Sequence, residues 1–514
     1  MAFLLAITPI LLILVLMVGL RWSAARAGGA GYLCALIIGV VFFGLNPILL
    51  AYAHAKALLL AIDVLMIIWA AFLLYRVVDE AGAIRTIGEA LPHLTTDRGM
   101  QALIIGWVFA SFLQGVGGFG VPVAVIAPIL IGLGFAPLDA VVIPSIGHGW
   151  AITFGSLGSS FQALMTTTGL PDKVLSPFSA QFLGAAGVVS GLMVAHVAGS
   201  WEAIRRLWLP TILFGGVMAV VQYVTAVLGF WNIAAFSGSI AGLVICFPIA
   251  RRYRGEQNNN GILNVKALLV AISGFALLVV VILSVQLIPA LQSFLSSVVI
   301  QLKFPQISTS VGLLSNAPFV TPAGFGRKIS LFSHTGSVLV YAATLAYMVY
   351  WRAGMYRPGA IRRIVGGTLR KVLSSSVSIV SMVTMASIME HSGMTHILAR
   401  DLAEGMGSLF PVAASWIGAL GAFMTGSNTN SNMVFGALQM QTANLLGYPL
   451  AIILAAQTAG AALASVMAPT KVVVGASTAG MAGKEGLVMR KLFIYAGLLV
   501  LFISLLTSIS IWIM

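Results

Sequence analysis

The stretch SFLQGVGGFGVP at residues 111–122 interrupts a long apolar run with four glycines and a proline. A second stretch, AFMTGSNTNSN at residues 422–432, interrupts apolar sequence in the other half of the chain with hydroxyl and amide side chains. Non-helical backbone is tolerated at membrane depth only where it is buried in protein or lines a cavity, because lipid offers its N–H and C=O groups no partner. Each stretch therefore predicts a helix that is broken inside a membrane.

These two stretches belong to segments that match each other along the chain. Residues 112–115 align with 423–426 at a shift of 311 positions, and residues 79–82 align with 390–393 at the same shift. A third match follows downstream with one gap. The three matches in order predict a duplicated unit, and broken apolar segments in corresponding positions of two halves point to the binding site of a transporter.

The composition is that of a membrane protein. Hydrophobic residues make up 60% of the 514 residues and charged residues 8%, whereas a soluble protein carries roughly 25% charged residues. The sequence predicts an all-α polytopic membrane protein with about 12–14 transmembrane segments and two inverted repeats, each containing a re-entrant or broken helix. The two cysteines, Cys34 and Cys246, lie in apolar segments and imply neither a disulfide nor a metal site.

The formal charge of +14 does not indicate a nucleic-acid partner, because the basic residues form short clusters between apolar runs. Such clusters mark the cytoplasmic side of a membrane protein, so the lipid bilayer is the expected surroundings. Arg21 and Arg26 follow the first apolar run, whereas a cleaved signal peptide has its basic residues ahead of it. We therefore expect a retained first helix.

Apolar runs of about 20 residues mark the helices that cross the hydrocarbon core. They are predicted at 3–20, 29–50, 58–78, 178–198, 209–230, 232–250, 266–288, 336–351, 372–390 and 491–513. Placing the basic clusters in the cytoplasm puts both termini outside, provided that the region 101–172 crosses the membrane a net odd number of times. In this orientation residues 79–82 and 390–393 lie on opposite sides, which is why the two repeats are predicted to be inverted.

This topology divides the chain into six parts. They are N-terminal helices at 1–57, the first repeat with the following helices at 58–250, a cytoplasmic linker at 251–265, connecting helices and a loop at 266–367, the second repeat at 368–490 and a last helix at 491–514. The loop at 289–335 is predicted to be extracytoplasmic and to contain short amphipathic helices.

The two broken stretches carry groups suited to a small anion. A half-helix offers free N–H groups and a partial positive charge at its N-terminus, and hydroxyl and amide side chains can donate to a carboxylate, accept from a hydroxyl or coordinate a cation. Glycines also allow close helix packing, so packing and binding both stay open for the first stretch. The predicted substrate-binding residues are Gln114, Gly115, Gly117, Gly118, Phe119, Gly120, Thr425, Gly426, Ser427, Asn428, Thr429, Asn430, Ser431, Asn432, Gln457 and Thr458.

Two further residues are candidates for proton coupling. His148 titrates near neutrality, although a hydrogen-bonded structural histidine is an equal alternative. Asp63 lies inside a predicted span, where an ionisable residue is a functional candidate by default. Lys471 could attract an anion or extend to the membrane interface; the interface is favoured, and Lys471 is left out of the predicted site.

No motif for bond-making chemistry occurs in the sequence. A Walker loop, a Gly-x-Ser-x-Gly elbow and a Cys/His metal-ligand spacing are all missing. We therefore expect a transporter that is not an enzyme and that uses no cofactor and no metal.

The residues around both breaks resemble the lactate permease family. The resemblance is carried by 112–124, 133–138 and 154–158 in the first half and by 425–439 and 483–486 in the second, so it covers nearly the whole chain. Members of that family are similar to carriers of the ion-transporter superfamily and import L-lactate, D-lactate or glycolate with protons. The resemblance implies proton symport of a small 2-hydroxy monocarboxylate, whose carboxylate and 2-hydroxyl would be held by the two broken stretches. It also implies a bacterial inner (plasma) membrane as the location.

The chain also departs from the family pattern. Gly-His-Gly-Trp stands at 147–150 where the family has an Asn-Thr-Ala-Pro-like stretch, and Asn428 stands where the family favours Asp. Losing a carboxylate at Asn428 changes the local charge and can change the coupling ion. A sodium-coupled carrier of another organic anion and a passive anion channel therefore stay open as alternatives, and a homodimer is compatible with the sequence.

Overall fold

The computed structural model describes residues 1–118, 120–253, 265–314 and 317–513. In the first half its α-helices are α1 (Ala2–Leu14), α2 (Ala24–Phe42), α3 (Pro47–Glu80), α4 (Ala83–Ala90), α5 (Arg98–Gln101), α6 (Ala110–Val116), α7 (Val121–Gly132), α8 (Pro137–Gly149), α9 (Ser159–Thr168), α10 (Asp172–Thr225) and α11 (Ala234–Ala250). A π-helical segment, Ala102–Phe109, joins α5 to α6. Most of the predicted linker at 251–265 lies outside the described residues, and the division into six parts stays a prediction.

The second half continues the helical pattern with one β-structured insertion. Its helices are α12 (Val265–Leu287), α13 (Pro289–Leu295), α14 (Thr335–Arg352), α15 (Ala360–His391), α16 (Met394–Met406), α17 (Phe410–Thr425), α18 (Asn428–Leu446), α19 (Leu450–Ala464), α20 (Pro469–Thr478) and α21 (Glu485–Ile513). The strands are β1 (Val299–Ile300), β2 (Lys303–Phe304), β3 (Ile307–Ser308), β4 (Val320–Thr321), β5 (Gly324–Phe325) and β6 (Ile329–Ser330).

Many of the helices can cross a membrane, which confirms a polytopic membrane protein. Within the described residues, ten helical stretches are long and apolar enough to do so. They are Ala2–Gly19, Ala24–Phe42, Pro47–Glu80, Arg98–Val116, Asp172–Tyr253, Lys266–Leu287, Ala360–His391, Met394–Thr425, Leu450–Met467 and Glu485–Ile513. The sequence predicted about 12–14 segments, and the stretch Asp172–Tyr253 contains more than one crossing.

That stretch is 82 residues long, which would extend about 120 Å as a straight helix. It folds back instead, with Ser200 at φ 57° and Gly229 at φ 90°. A Cβ built on Gly184 would lie 2.9 Å from the Cβ of Ala219, so the helical segments on either side of Ser200 are packed against each other. The predicted spans at 178–198, 209–230 and 232–250 correspond to its three parts.

The predicted span at 29–50 is wrong at its end, because the helix stops earlier. α2 ends at Phe42, and Gly44 adopts a φ of +68° in the turn that follows. The side chain of Asn46 caps the next helix by accepting a hydrogen bond from Leu49 N at 2.9 Å. Pro47 suits the first turn because its missing N–H would have had no partner there. α3 therefore begins at Pro47 and not at residue 58.

The loop at 289–335 forms a β-hairpin rather than a series of short amphipathic helices. Its strands pair antiparallel as β1 with β6, β2 with β5 and β3 with β4, so the pairs are nested; α13 is the one short helix that precedes them. The tip of this hairpin lies on the α2–α3 turn, where Ser310 N donates to Gly44 O at 2.8 Å and Asn46 Nδ2 donates to Ser308 O at 3.0 Å.

Two of the membrane-spanning stretches are deeply enclosed by protein. In the apolar windows of Arg98–Val116, which ends at the first break, and of Leu450–Met467, 100% and 89% of the residues are buried, compared with 33% for Ala2–Gly19. A spanning helix that faces lipid leaves one side uncovered, so these two helices lie inside the bundle.

The order of elements recurs in the two halves, since a long helix precedes a short one and a broken pair in each. The two long helices, α3 and α15, pack antiparallel: Ser387 Oγ donates to Ala53 O at 2.9 Å, and Trp69 Nε1 donates to Ser376 Oγ at 2.9 Å. Antiparallel packing of corresponding helices is what an inverted repeat would produce. The inversion itself stays a prediction.

Candidate functional site

The first break separates α6 from α7 at the predicted glycines. α6 ends at Val116, Gly118 adopts a φ of +57°, and Gly120, at φ +85°, precedes the first residue of α7. A Cβ on Gly118 would overlap Ser156 Oγ, and positive φ disfavours any other residue there. Glycine is therefore required by both the space and the backbone. Phe119 lies outside the described residues.

The second break separates α17 from α18 and uses side chains as well as glycine. α17 ends at Thr425, and Gly426 adopts a φ of +69°. Ser427 then caps α18, with its Oγ accepting a hydrogen bond from Asn430 N at 3.3 Å. At the break itself, Ser427 N donates to Thr425 Oγ1 at 3.3 Å. Hydroxyl groups therefore satisfy backbone groups that the break leaves without helical partners.

The starts of two more helices meet these breaks. Gly158 precedes α9 and Ala468 precedes α20, and neither α9 nor α20 has a side-chain cap. Ser160 Oγ in the first turn of α9 lies 3.0 Å from Thr429 Oγ1 in α18. A Cβ on Gly426 would overlap Thr470 Oγ1 in α20. The N-termini of α9, α18 and α20 therefore converge, and each brings a partial positive charge.

A cavity of about 180 Å³ lies at the starts of α18 and α20. That volume is well above the roughly 10–15 Å³ that one water needs, so a small organic ion can enter. Its lining is mostly small and polar and comprises Ala24, Ser374, Ser375, Ser378, Ile379, Thr425, Gly426, Ser427, Thr429, Asn430, Thr470, Lys471 and Val474.

A smaller void of about 20 Å³ lies beside the cavity. It is lined by Gln114, Ile152, Ser156, Ser159, Ser160, Gly426, Ser427, Asn428, Thr429 and Lys471. Gly426, Ser427, Thr429 and Lys471 are common to both spaces, so the two halves of the chain share one site. Among the described residues that line either space, none is an Asp or a Glu.

Three lining side chains hold oxygen atoms without a partner. Gln114 and Asn428 are each 2% exposed and Asn430 is 4% exposed. The side-chain oxygens Gln114 Oε1, Asn428 Oδ1 and Asn430 Oδ1 accept no hydrogen bond within the described structure. Buried polar groups are normally paired, so these acceptors are available to a donor on a bound ligand, such as a hydroxyl group.

Other predicted residues lie behind the lining and hold it in place. Thr458 Oγ1 accepts from Asn432 Nδ2 at 2.9 Å and from Asn428 Nδ2 at 3.5 Å. Gln457 Nε2 donates to Ser431 Oγ at 3.1 Å, and that hydroxyl donates to Gly418 O at 2.7 Å. The structure thus places Ser431, Asn432, Gln457 and Thr458 in a supporting network rather than on the wall of either space.

Two of the predicted glycines serve helix packing. A Cβ on Gly115 would lie 2.9 Å from the Cα of Phe236 in α11, and a Cβ on Gly117 would lie 2.9 Å from the ring of Tyr75 in α3. Neither glycine lines the cavity or the smaller void. For the first stretch, both helix packing and substrate binding had been left open. Gly115 and Gly117 serve helix packing, whereas Gly118 and Gly120 form the break itself.

His148 is buried in α8 but lies away from the lining of both spaces. Its Nδ1 is 2.6 Å from Pro144 O, and its Nε2 has no partner within the described structure. The hydrogen bond to the backbone fits the alternative of a structural histidine. The Nε2 atom, which has no partner in the described structure, could still bind a proton. Its role in coupling stays a prediction.

Asp63 is buried in α3 at the centre of a hydrogen-bond cluster that we call the Asp63 cluster. Its Oδ2 accepts from Gln162 Nε2 at 2.6 Å, Thr166 Oγ1 at 2.7 Å and Arg327 Nε at 3.1 Å. Its Oδ1 lies 3.0 Å from His334 Nε2. The cluster joins α3 and α9 to the chain around the hairpin, and it lies outside the lining of the cavity.

Lys471 lines both spaces, although the sequence left it out of the predicted site. Its half-buried side chain donates from Nζ to Ser465 Oγ at 2.9 Å, within the protein. The sequence contained a signal for this, because Ala-Pro-Thr-Lys at 468–471 begins a helix after a polar patch. Which way that helix points depends on tertiary packing.

Ser156 and Leu157 were not predicted to have unusual backbone conformations. Both are buried, with φ 48° and φ 55°, and Gly158 follows at φ 78°. Non-glycine residues in this region cost on the order of 1–3 kcal/mol each and persist only where their surroundings hold them. Here the strain positions Ser156 against the first break and starts α9 at the cavity.

Comparison of the sequence with known protein families covers nearly the whole chain. The family model described as L-lactate permease matches residues 2–514. The chain belongs to the L-lactate permease family. As a member of that family it is a multi-pass membrane transporter and not an enzyme.

Individual relatives in this family are distant but cover almost the whole chain. The chain is 26% identical to the glycolate permease GlcA of Escherichia coli (strain K12), over 95% of this chain and 91% of that protein. It is 27% identical to the L-lactate permease of Bacillus subtilis (strain 168), over 98% of this chain and 95% of that protein. Among solved structures, the YdaH transporter of Alcanivorax borkumensis is similar with a TM-score of 0.46 and 12% identity, over 87% of this chain and 85% of that one.

Proposed function

We propose that this protein is a secondary carrier that imports a small 2-hydroxy monocarboxylate, such as lactate or glycolate, together with a proton. The relatives named as lactate and glycolate permeases support this substrate class. The observation that carries the proposal is the pair of adjoining spaces beside the two breaks. The starts of α9, α18 and α20 contribute to their walls, and their described lining residues include no carboxylate.

The lining offers partners for both functional groups of such a substrate. The N-termini of α9, α18 and α20 favour a negatively charged carboxylate. The unpartnered oxygens of Gln114, Asn428 and Asn430 accept hydrogen bonds and would repel a carboxylate, so they suit the 2-hydroxyl. A monocarboxylate with a neighbouring hydroxyl therefore matches the wall better than a dicarboxylate does.

The cavity and the Asp63 cluster support alternating access. The cavity is lined by Ala24 and Ser374, which follow the basic segments that we assign to the cytoplasm. Toward the hairpin, Asp63 ties α9 to α3 through Gln162 and Thr166. We infer a conformation in which the site faces the cytoplasm and the outer path is closed, with both termini outside. Release of α9 from Asp63 would then accompany opening to the outside.

Proton coupling is assigned to His148 or Asp63. A coupling residue should be needed for accumulation but not for exchange of substrate across the membrane. We expect Asp63→Asn or His148→Gln to retain lactate exchange while losing lactate-driven proton movement. Glu89→Gln is the control, because Glu89 forms an exposed pair with Arg85 on α4. Wild-type proton movement in both variants would remove these residues from the coupling mechanism.

The decisive measurement is lactate-dependent proton entry into proteoliposomes without sodium. We expect the external medium to become alkaline when lactate is added, and glycolate to compete. Accumulation of lactate against its gradient would exclude a passive channel, which can only equilibrate it. Uptake that occurs only with sodium would retain the carrier and contradict proton symport. No uptake under either condition would contradict the substrate class.

A further inference from the structure

Lys471 is a cation at the cavity wall without a counter-ion. Its Nζ donates to the neutral hydroxyl of Ser465 at 2.9 Å. None of the ion pairs formed within the described part of the chain includes it. Removing an ammonium group from water costs free energy unless an opposite charge or a full set of hydrogen bonds replaces the water. Among the described residues, no side chain supplies the opposite charge.

The position of Lys471 within its own helix adds to that cost. It is the third residue of α20 (Pro469–Thr478), in the first turn. The N-terminal end of a helix carries a partial positive charge, so an acidic side chain is stabilised there and a lysine is not. A lysine in this position is unfavourable for the stability of the helix, so its presence there needs another explanation.

The surroundings of Lys471 supply more positive potential and no negative side chain. The starts of α9, at Ser159 and Ser160, and of α18, at Asn428 and Thr429, line the same small void as Lys471. The described lining residues of the two spaces include neither Asp nor Glu. An anion in this place would relieve the repulsion among these groups.

We infer that Lys471 binds the carboxylate of the substrate and thereby makes the carrier select an anion over a neutral molecule of the same shape. This inference rests on the proposed function, because it assigns a group within the proposed site. The amide oxygens of Gln114 and Asn428, which line the void with Lys471, then bind the hydroxyl group. The ammonium group thus recognises the carboxylate of the substrate, and the amide oxygens recognise its hydroxyl group.

The test compares lactate with lactamide, a neutral molecule of nearly the same shape. In the wild type we expect lactate to raise the melting temperature of the purified protein and to be taken up into proteoliposomes, while lactamide does neither. In Lys471→Met we expect the affinity for lactate to fall at least tenfold, so that the preference for lactate over lactamide is largely lost. Lys471→Arg keeps the charge and should retain part of that preference.

The melting temperature without substrate provides a second measurement, and it distinguishes a substrate-binding lysine from one that only stabilises the fold. Because the unpaired cation is unfavourable in the empty protein, Lys471→Met should melt at the same temperature as the wild type or higher. Lys484→Met is the matched control, since Lys484 is exposed and lies outside the lining of the cavity. This control should retain both the stability and the lactate response of the wild type.

The possible failures can be told apart. Lactate uptake by the wild type together with unchanged lactate affinity in Lys471→Met would overturn the role of Lys471 and leave the proposed function intact. A lower melting temperature with an unchanged preference for lactate would also overturn it and assign Lys471 a structural role. A wild type that responds to neither lactate nor glycolate would overturn the proposed function and this inference with it.

Discussion

Both breaks interrupt a helix inside the protein, but they use different residues to do so. At the first, the chain turns at Gly118 and Gly120, both with positive φ, and Gly118 lies against Ser156. At the second, Gly426 makes the turn, and the side chains from Ser427 onward satisfy the backbone and form a hydrogen-bond network. The first break provides shape, and the second provides most of the polar groups. A substitution should therefore act through space at the first break and through hydrogen bonding at the second.

The largest effect is expected at the first break. Gly118→Leu adds a side chain where even a Cβ would overlap Ser156 Oγ, at a backbone conformation that leucine avoids. We expect lactate uptake to be lost while the protein still inserts into the membrane, as measured by proteoliposome uptake and by size-exclusion chromatography. Gly132→Ala is the control, because a Cβ there meets nothing within 4 Å. Normal uptake by Gly118→Leu would show that this break does not shape the site.

A slightly smaller loss is expected at the second break. Asn428→Ala removes the Nδ2 donor that bonds Thr153 Oγ1 at 3.0 Å and the free oxygen beside the void. We expect uptake to fall by about tenfold or more, equivalent to at least about 1.4 kcal/mol. Asn444→Ala on the exposed side of the same helix should leave uptake unchanged. Equal uptake in the two variants would contradict the role of Asn428.

A change in stability rather than in binding is expected at Gly115. Gly115→Ala places a Cβ 2.9 Å from the Cα of Phe236, and backbone cannot give way as a side chain can. Overpacking of this kind typically costs about 1–3 kcal/mol. We expect a lower melting temperature with an unchanged lactate affinity in the protein that remains folded. A change in affinity without a change in melting temperature would return Gly115 to the binding site.

The smallest effect is expected behind the second break. Thr458→Val removes a hydroxyl that accepts from Asn428 and Asn432, but both amides keep a second partner, in Thr153 Oγ1 and Ser160 O. The loss should be about 0.5–1.5 kcal/mol, seen as a reduction in lactate affinity of a few fold. Thr507→Val, whose hydroxyl bonds only within its own helix in the described structure, is the control. A loss as large as that of Asn428→Ala would show that the network acts as one unit.

The sequence predicted the features that depend on local chemistry. Glycines before Pro122 and a polar run inside apolar sequence both require a break, and the structure has breaks at these places. The apolar runs likewise predicted most of the long helices. Arg98–Val116, Met394–Thr425 and Leu450–Met467 were not among the predicted apolar runs, although the region 101–172 was expected to cross the membrane. Arg98–Val116 and Leu450–Met467 are enclosed by protein, and such helices can include polar residues that shorten the apolar run.

The features that the sequence did not predict depend on contacts between distant residues. Arg327 and Asp63 are 264 positions apart and meet in one ion pair. The hairpin pairs Val299 with Ser330 across the whole loop, and its two-residue strands are too short to show an alternating pattern. Lys471 could reach either lipid headgroups or the cavity until the direction of α20 was known.

The length of α3 has a consequence for the design of binding reagents. Its 34 residues extend about 51 Å, whereas the hydrocarbon core is about 30 Å thick. The helix is therefore longer than one crossing requires, and at its Pro47 end the hairpin is hydrogen-bonded to the turn just before it. An antibody fragment that binds the hairpin and this turn together would therefore fix one end of α3 through two separate segments of the chain.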